Sequence, residues 1–511
     1  MKKMCLALAL CLTALAGVFA QDKPFTMGVV LGASTVDGVT YKQIGLQPKM
    51  RFGKLGLGLD INLLMDETGA IRKEDWDDVG DYLDKLYYIS WAQRGEPFYF
   101  KLGAFDKTAP LTLGYGILMS RYTNTTEYPT YKRWGLDIGF ETPYVGGQAF
   151  VANFKDLDFK DFKKSGPVLG TRIYAKPGIP WIQIGLSSAM DLNEYKGLRD
   201  NDGDGWPDRI DQLPYDGGYH TMADYYYAKL KGSLGSDAAD VVGALQDEGL
   251  IDRAIDTSYV PGSVSRVFLW AADLGFELVG SPDSFALGKH DFLKFQLYAQ
   301  FARSFQSDFL AKEGWGLAPG VKFGFGSIGE IYAEFRHQTK GFQIGYFDET
   351  YDLQRAVFKV DEGTGIVYPV TKKQSLPQSE ALSGVYAGWD FNIAGYLLFG
   401  AGYKYMLSGQ TDETNQSLRV SLGMGEELKN LVKIVSRAEA YYVHNNLDDV
   451  KKLFKLDEGT MWGAALGYAA GEGVSIELEY STVFVDRNGD GEINFKKESD
   501  THFSILTSVS F

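Results

Sequence analysis

Residues 54–65 read KLGLGLDINLLM, and every second residue of this stretch, from Leu55 to Met65, is apolar. The positions between them are mostly small or polar, and they include Lys54, Asp60 and Asn62. Successive side chains of a β-strand point to opposite faces of its sheet, so this alternation predicts a strand with one apolar and one polar face. The same pattern recurs in FLKFQLYAQFARSF at 292–305 and in VSIELEYSTVF at 474–484.

About twenty segments of this kind follow one another along the chain, each near the length that a tilted strand needs to cross a bilayer. They run from 40–52 to 500–511, and residues 111–121 are counted among them. Residues 24–34 are left out of the count, because a closed barrel whose two termini lie on one side needs an even number of strands. Glycine is abundant at 60 residues and aromatic residues make up 14 %, yet the mean hydropathy is only −0.17. This composition favours many strands with one wet face.

Short turns alternate with long polar connections along the chain. The short turns include TPYVGG at 142–147 and NIAG at 392–395, and the long connections include 191–264, 341–383 and 486–499. The sequence therefore predicts an all-β fold, a transmembrane antiparallel β-barrel of about 20 strands (range about 18–22) with long extracellular loops and short periplasmic turns. A soluble sandwich or solenoid would also give a period of two. Such a protein would have shorter strands, and stretches with the composition of linkers would separate its domains.

The last strand, DTHFSILTSVSF at 500–511, places Phe503, Ile505 and Val509 on one face and ends in Phe511. It resembles the C-terminal strand signal of bacterial outer-membrane β-barrel proteins, a broad class that includes the porins. The resemblance implies a location in the outer membrane of a diderm bacterium, in contact with outer-membrane lipid. It also implies that the barrel-insertion machinery recognises the strand that ends in Phe511.

The first twenty residues have the pattern of a secretory signal peptide, with Lys2 and Lys3 before an apolar run and a predicted cut after Ala20. A lipoprotein signal at Cys11 is the alternative, but the preceding Leu10 is not small. Residues 21–511 are then expected to form a single barrel domain, in which 191–264 is a loop insertion with a calcium-like loop and a helical segment. The formal net charge of −15 argues against nucleic acid as a partner.

If the apolar faces meet lipid, the alternate residues line the interior of the barrel. The predicted pore-lining residues are Lys54, Asp60, Lys101, Arg133, Asp137, Arg172, Lys294, Glu330, Glu334, Arg336, Lys404, Arg419, Arg437, Glu477 and Glu479. Acidic and basic groups nearly balance in this lining, which argues against a strongly selective filter. Residues 66–85 and 221–256 are predicted to be helical, and either segment would fill the lumen or cap an outer loop.

Residues 200–211 read DNDGDGWPDRID and have the spacing of a calcium loop. Calcium takes six to eight oxygen ligands, so its sites need closely spaced carboxylates and a sharp turn. The predicted ligands are Asp200, Asp202, Asp204, the carbonyl of Trp206, Asp208 and Asp211. The stretch resembles both the thrombospondin type 3 repeat and the EF-hand loop, and it departs from the EF-hand at Asp211, where glutamate is usual. The alternative is a soluble turn rich in Asp and Gly.

A second copy with the same spacing lies in DRNGDGEINFKKESD at 486–500. Its predicted ligands are Asp486, Asn488, Asp490, Glu492 and Asn494. Lys497 stands at the last position, where it offers no ligand, although Glu498 is adjacent. Both loops are assigned to the extracellular side, so the predicted cofactor is structural Ca²⁺ with a Kd on the order of 10⁻⁴–10⁻³ M.

These features together predict a porin-like channel for passive or weakly selective passage of small polar solutes, with outer loops ordered by calcium. A surface adhesin or structural outer-membrane protein with calcium-bound loops is the alternative. An outer-membrane hydrolase is a weaker hypothesis, because the five histidines show no H-E-x-x-H pattern and no G-x-S-x-G or P-loop motif is present. We therefore expect no enzymatic activity, and the solute and the oligomeric state stay open.

Overall fold

The computed structural model describes residues 25–510, apart from short internal stretches. The stretches outside the description are 37–38, 77–81, 83–84, 106–109, 127–132, 158–165, 180, 201, 281–291, 306–313, 362, 377–380, 413, 448, 472 and 487–490. The predicted signal peptide, the terminal Phe511, and Asn488 and Asp490 of the second calcium-like loop therefore lie outside the described residues. In the described part, no helix combines the length and apolar character needed to cross a membrane.

Within the described residues the chain forms one large antiparallel sheet and one small hairpin. The strands are β1 (Phe25–Val36), β2 (Val39–Phe52), β3 (Leu55–Leu59), β4 (Ile61–Met65), β5 (Leu86–Trp91), β6 (Phe98–Gly103), β7 (Gly135–Glu141), β8 (Val145–Val151), β9 (Val168–Ala175), β10 (Ile182–Asp191), β11 (Val267–Val279), β12 (Leu293–Phe305), β13 (Trp315–Phe325), β14 (Gly329–Gln338), β15 (Ala356–Val360), β16 (Val367–Thr371), β17 (Leu382–Ile393), β18 (Leu397–Ser408), β19 (Thr414–Met424), β20 (Val435–Leu447), β21 (Thr460–Gly471), β22 (Val474–Phe484) and β23 (Ser499–Ser510).

The α-helices are α1 (Met222–Leu234), α2 (Ala238–Asp247), α3 (Tyr351–Gln354) and α4 (Glu426–Leu431). Single 3₁₀ turns lie at Lys73–Asp75, Phe154–Asp156, Glu194–Gly197, Gly235–Asp237 and Val450–Lys452. Strands β3 and β4 both pair with β2 and are two pieces of one crossing, interrupted at Asp60. Strands β15 and β16 form the separate hairpin, so the described residues give a closed barrel of twenty crossings, as predicted.

The barrel closes between β1 and β23, which pair antiparallel from Thr26↔Ser510 to Ser34↔His502. The omission of residues 24–34 from the strand count is therefore wrong, since β1 is the closing strand. The strand expected at 111–121 is also wrong. This segment is a loop with one bridge between Leu111 and Tyr122, and it is packed inside the barrel. The two errors cancel, so the predicted number of strands is correct.

The two faces of the wall differ as the alternation predicts. Outward-facing apolar side chains such as Leu31, Ile173 and Leu186 keep about half of their surface exposed. Inward-facing polar side chains such as Gln43 and Asn62 are buried. An apolar outer surface around a polar interior is the reverse of a soluble barrel, and it suits a barrel surrounded by lipid.

Cross-strand pairs of tyrosine and glycine explain why both residues are so frequent. On the inner wall the ring of Tyr99 lies over Gly139, and the ring of Tyr298 lies over Gly320. A side chain on either glycine would occupy the space of the ring. These glycines let aromatic rings lie flat along the wall, where they cover the backbone.

The connections divide the barrel into two ends. The short-turn end carries the connections 53–54, 92–97, 142–144, 326–328 and 394–396, and it also holds the ends of β1 and β23 near residues 25 and 510. The long-loop end carries 66–85, 104–134, 192–266, 339–381 and 485–498. Helices form in 221–256 as predicted, but α1 buries no residue, so it does not fill the lumen. The described part of 66–85 contains the 3₁₀ turn Lys73–Asp75, whereas 77–81 and 83–84 lie outside the described residues, so the helix predicted there stays a prediction.

Candidate functional site

The described residues of 104–126, that is 104–105 and 110–126, are here called the lumen loop and fold inward from the long-loop end between β6 and β7. Their apolar side chains, among them Leu113, Ile117 and Leu118, are almost completely buried against the inner wall of β8–β13. The wall offers small residues at the contact, such as Ala271 and Ala302. The small side chains of the wall leave space that the large side chains of the loop fill, so the loop and the wall pack together as closely as in a protein core.

Hydrogen bonds fix the lumen loop at several points. Asn124 accepts from the backbone N–H of Phe105 at 2.6 Å and donates to the carbonyl of Ala152 at 2.8 Å. The backbone N–H of Ile117 donates to Gln300 Oε1 of β12 at 3.1 Å. These contacts pair buried polar groups that water does not reach, which makes the loop a fixed part of the barrel interior.

A buried ionic network holds together three segments at the long-loop end of the barrel. The guanidinium of Arg355 bonds both carboxylate oxygens of Asp191, with Nε–Oδ2 at 2.5 Å and Nη2–Oδ1 at 2.9 Å, and it reaches Asp156 at 3.3 Å. Tyr351 donates to the same Asp191 at 2.7 Å. Burial raises the pKa of Asp156, while the nearby carboxylates hold the pKa of Arg355 well above its usual range despite burial. The network attaches α3 to the end of β10.

Glu194 lies beside this network and is also buried. Its Oε1 accepts from the hydroxyl of Tyr346 at 2.5 Å, and its Oε2 accepts from the hydroxyl of Ser265 at 2.8 Å. Burial, and secondarily the negative charge of Asp191, raises the pKa of Glu194 to about 7. Glu194 therefore changes protonation near neutral pH, whereas an exposed glutamate does so near pH 4.

Most predicted pore-lining residues lie on the inner wall, and most of them are ion-paired. Arg172 makes a bidentate pair with Asp273, Arg336 pairs with Glu334 at 2.6 Å, and Arg437 contacts Glu477 at 3.1 Å. Other close pairs that involve predicted lining residues are Asp137–Arg94, Glu330–Lys322, Arg419–Asp390 and Arg437–Glu479. Asp60 accepts from Gln47 and Asn62, and Lys101 lies over the ring of Tyr88. Lys294 is exposed near the short-turn end.

Two of the predicted lining residues are not part of the strand wall. Lys54 lies in the turn between β2 and β3, where it pairs with Glu96, because the strand begins one residue later than expected. Arg133 lies before β7 and contacts Asp352 at 3.4 Å within the buried network. The sequence pattern did not point to Arg121, Asp191 or Arg355 as interior residues. Their positions in segments without a clear period gave no signal that they face the interior.

The loop Asp200–Asp211 brings its acidic side chains together. Carboxylate oxygens of Asp200, Asp202 and Asp204 all lie within 4.8 Å of one another. Backbone N–H groups turn the chain around them, since Gly203 and Gly205 donate to Asp200 at 2.8 and 3.0 Å. Both glycines have positive φ, 74° and 96°, which a residue with a side chain adopts only with strain.

Two carboxylate oxygens of this loop are buried without a hydrogen-bond donor, Oδ2 of Asp202 and Oδ2 of Asp211. Asp211 is only 6 % exposed, and its other oxygen accepts from the N–H of Leu213 at 2.7 Å. Burial raises the pKa of Asp211 to about 6, and Asp204 and Asp202 add to this. Buried acceptors without donors are costly, and a cation would satisfy them. The donor set and the turn therefore fit a hard cation such as Ca²⁺.

The second calcium-like loop repeats one contact of the first. Gly491 donates its N–H to Asp486 at 2.8 Å and has a φ of 76°, as Gly205 does toward Asp200. Glu498 accepts from the N–H of Asn494 at 2.7 Å. Glu492 and Asn494 lie in the described part of this loop, whereas Asn488 and Asp490 do not. Arg209 of the first loop is within electrostatic range of Asp486 and Glu498, so the two loops are neighbours at the long-loop end.

No protein-family model and no curated protein matches this chain. Among solved structures, a mutant of the ferric enterobactin receptor PfeA from Pseudomonas aeruginosa aligns with a TM-score of 0.36 at 8 % identity, covering 96 % of this chain and 81 % of that one. OccK5 (OpdH) from Pseudomonas aeruginosa aligns with a TM-score of 0.32 at 10 % identity, covering 95 % of this chain and 97 % of that one. Outer-membrane expressed OmpT of Vibrio cholerae aligns with a TM-score of 0.31 at 7 % identity, covering 96 % of this chain and 99 % of that one. TM-scores this low support no inference about this chain.

Proposed function

We propose that this chain is an outer-membrane channel that passes small polar solutes with weak charge selectivity. The observation that carries the proposal is the wall of β17–β22, which faces the lumen opposite the lumen loop. Several inward charged side chains toward the short-turn end of this wall keep a third to a half of their surface exposed: 33 % for Arg437, 46 % for Glu439 and 47 % for Asp390. Charges that stay hydrated inside a barrel of this width indicate a water-filled path beside the loop.

Planar-bilayer recording of the purified full chain tests this function. We expect discrete conductance steps and a reversal potential close to zero in a potassium chloride gradient, because acidic and basic lining groups nearly balance. A barrel that inserts but gives no steps at any calcium concentration would refute the channel. It would favour the surface adhesin or structural role. That role is supported by the large insertion 192–266, where Leu250 is 70 % exposed.

The proposed location in an outer membrane is supported by the apolar outward surface of the barrel. A belt of exposed apolar side chains requires lipid, and a closed antiparallel barrel satisfies every backbone group within it. We infer that the short-turn end faces the periplasm, and that the barrel-insertion machinery recognises the last strand through Phe511. Deletion of Phe511 is expected to reduce the amount of heat-modifiable barrel in the outer-membrane fraction. An unchanged amount would remove the proposed role of this residue.

Calcium is proposed as a structural cofactor of the long-loop end. Asp200, Asp202, Asp204, Asp208 and Asp211 would hold it together with the Trp206 carbonyl, and Asp486 and its neighbours would form a second site. Bound calcium would neutralise the repulsion among these carboxylates. It would thereby order the insertion 192–266, because Gly205 of the calcium-like loop lies against Pro261 near the end of the same insertion. The buried Oδ2 atoms of Asp202 and Asp211 support this proposal.

Limited proteolysis with and without calcium tests the ordering. In wild type we expect millimolar calcium to slow trypsin cleavage within 192–266, and calorimetry to give a Kd on the order of 10⁻⁴–10⁻³ M. A variant with Asp202→Asn and Asp211→Asn should lose the protection. Asp216→Asn is the matched control, since Asp216 is exposed and lies just outside the loop. Cleavage that does not respond to calcium in wild type would refute the ordering.

A further inference from the structure

Lys404 is a buried cation without an acceptor for its protons. It lies on the inward face of β18, is 6 % exposed, and makes no hydrogen bond or ion pair with any of the described residues. Its register neighbours are Tyr386 on β17 and the small Ser417 on β19. A buried ammonium group is costly unless something accepts its protons, so the missing acceptor needs an explanation.

Arg336 belongs to β14, the strand on the other side of β17. Its guanidinium carbon lies 3.9 Å from the centre of the Tyr386 ring, and its charge is within electrostatic range of Lys404. Nε and Nη2 of Arg336 both contact Oε2 of Glu334, at 2.7 and 2.6 Å, whereas Nη1 contacts no acceptor in the described part of the chain. Tyr386 therefore lies beside two cations that both have unused donors.

The carboxylates around these cations are already engaged. Oε1 of Glu334 accepts from the hydroxyl of Tyr298 at 2.9 Å, and its Oε2 is held by the arginine. Asp348 is within electrostatic range of Lys404 but pairs with Lys372 at 3.5 Å, and Lys372 itself acts on Lys404. Among the described residues, the three cations thus have two carboxylates in contact with them. Lys404 is the positive charge left without a partner.

Tyrosine hydroxyls add a further donor at the same place. The hydroxyl oxygens of Tyr386 and Tyr332 lie 3.3 Å apart, and both would touch a side chain at Gly402, two residues before Lys404 on β18. Only one of the two protons can lie between these oxygens, so the other hydroxyl keeps a proton to donate. Lysine, arginine and tyrosine donors therefore surround one surplus positive charge, and an anion complements such a set.

We propose that Lys404, Arg336 and Tyr386 form a binding site in the lumen for the carboxylate group of a small solute. An anion supplies several acceptors at once, and its hydrogen bonds with charged donors are stronger than those between neutral groups. A carboxylate carries one negative charge, which matches the one cation without a partner. A phosphate dianion would bring a second charge that stays unpaired away from water. The site rests on the proposed channel only for the delivery of the solute, because binding itself needs no conduction.

Calorimetry of the purified barrel in detergent, at low ionic strength, tests the binding. Sodium butyrate is the probe, butyramide is the uncharged control of the same shape, and inorganic phosphate tests the match of charge. We expect butyrate to bind, butyramide not to bind, and phosphate to bind more weakly than butyrate. Lys404→Met should weaken butyrate binding about tenfold and Tyr386→Phe about threefold, because each variant removes a donor.

Lys322→Met is the matched control. Lys322 is also an inward-facing cation, but it pairs with Glu330 at 2.8 Å and 39 % of its side chain is exposed. Its charge is therefore already compensated and hydrated, and its removal should leave butyrate binding unchanged.

Urea unfolding separates binding from a purely structural role of Lys404. Without butyrate, Lys404→Met should unfold at the same urea concentration as wild type or a higher one, because a buried charge without an acceptor is removed. Butyrate should raise the unfolding midpoint of wild type and not that of the variant. A variant midpoint that is lower than that of wild type, with and without butyrate, would assign Lys404 a structural role and overturn the site.

The remaining outcomes distinguish the site from the channel. Equal butyrate affinity in wild type and Lys404→Met would refute the site, and so would no binding in wild type. Tighter binding of phosphate than of butyrate would refute the assignment to a carboxylate. Conductance steps from a barrel that does not bind butyrate would remove the site and leave the channel. Butyrate binding by a barrel without conductance would remove the channel and leave the site.

Discussion

Arg355 is the residue on which most of the buried network depends. It is 1 % exposed, and it joins the end of β10 to the 3₁₀ turn Phe154–Asp156 through Asp191 and Asp156. Removing one partner of a buried ion pair leaves the other charge without compensation, which costs more than the pair contributes when intact.

Arg355→Met is therefore expected to lower the free energy of unfolding by about 3–5 kcal/mol. Urea unfolding in detergent, followed by tryptophan fluorescence, measures the change. Arg253→Gln is the control, because the pair of Arg253 with Asp247 is exposed and should contribute little. A loss of similar size in both variants would contradict the importance of the buried network.

Glu194 gives the network a dependence on pH. Its folded pKa is raised to about 7, from an ordinary 4.5, so between these values the folded state binds a proton that the unfolded state has released. Stability contributed by this group is full below about pH 4.5 and is lost as the pH rises toward 7. The difference in unfolding free energy between wild type and Glu194→Gln should thus change by about 3 kcal/mol over this window. A difference that stays constant with pH would contradict the raised pKa.

Among the elements, the lumen loop shows best where prediction from sequence succeeds and where it fails. Strand 54–65 was predictable because lipid on one side and polar groups on the other impose a strict period of two. Residues 111–121 have a similar apolar content, but they are buried against alanines inside the barrel. A short apolar run does not reveal which surface it meets.

Strand β1 was omitted for a different reason. Residues 24–34 were left out only to keep the strand count even, and the count was already even because residues 111–121 had been included in it. The clustering of Asp200, Asp202 and Asp204 was predictable, since the three residues are close in sequence. The buried network was not predictable, because Asp156, Asp191 and Arg355 come from three separate segments and contact one another only in the folded barrel.

The packing of the lumen loop predicts a change in both stability and conductance. Leu118→Ala removes a fully buried side chain and should loosen the loop, at a cost of about 2–5 kcal/mol. Trypsin should then cleave after Arg121, and the open-channel current should become noisier or larger. Leu466→Ala, on the lipid face and 54 % exposed, is the matched control. Unaltered cleavage and current in Leu118→Ala would show that the loop does not limit the pore.

At the scale of the whole molecule, the closure of the barrel depends on one pair of strands. Leu31 of β1 lies opposite Ile505 of β23 in the register, and both side chains face outward. Antiparallel partners have Cα atoms about 4.5–5.5 Å apart, within the range that a disulfide spans. The only cysteines, Cys5 and Cys11, lie in the predicted signal peptide, so a protein cleaved after Ala20 has no competing thiol.

Leu31→Cys combined with Ile505→Cys is therefore expected to form a disulfide on oxidation and to keep the barrel closed on heating in detergent. Non-reducing electrophoresis measures both effects, and reduction should reverse them. Leu31→Cys with Val509→Cys is the matched control. Val509 pairs with Met27, four residues along β1, so these two thiols lie roughly 13 Å apart and should not link. A disulfide in the control pair, or none in the first pair, would mean that β1 does not close the barrel in this register.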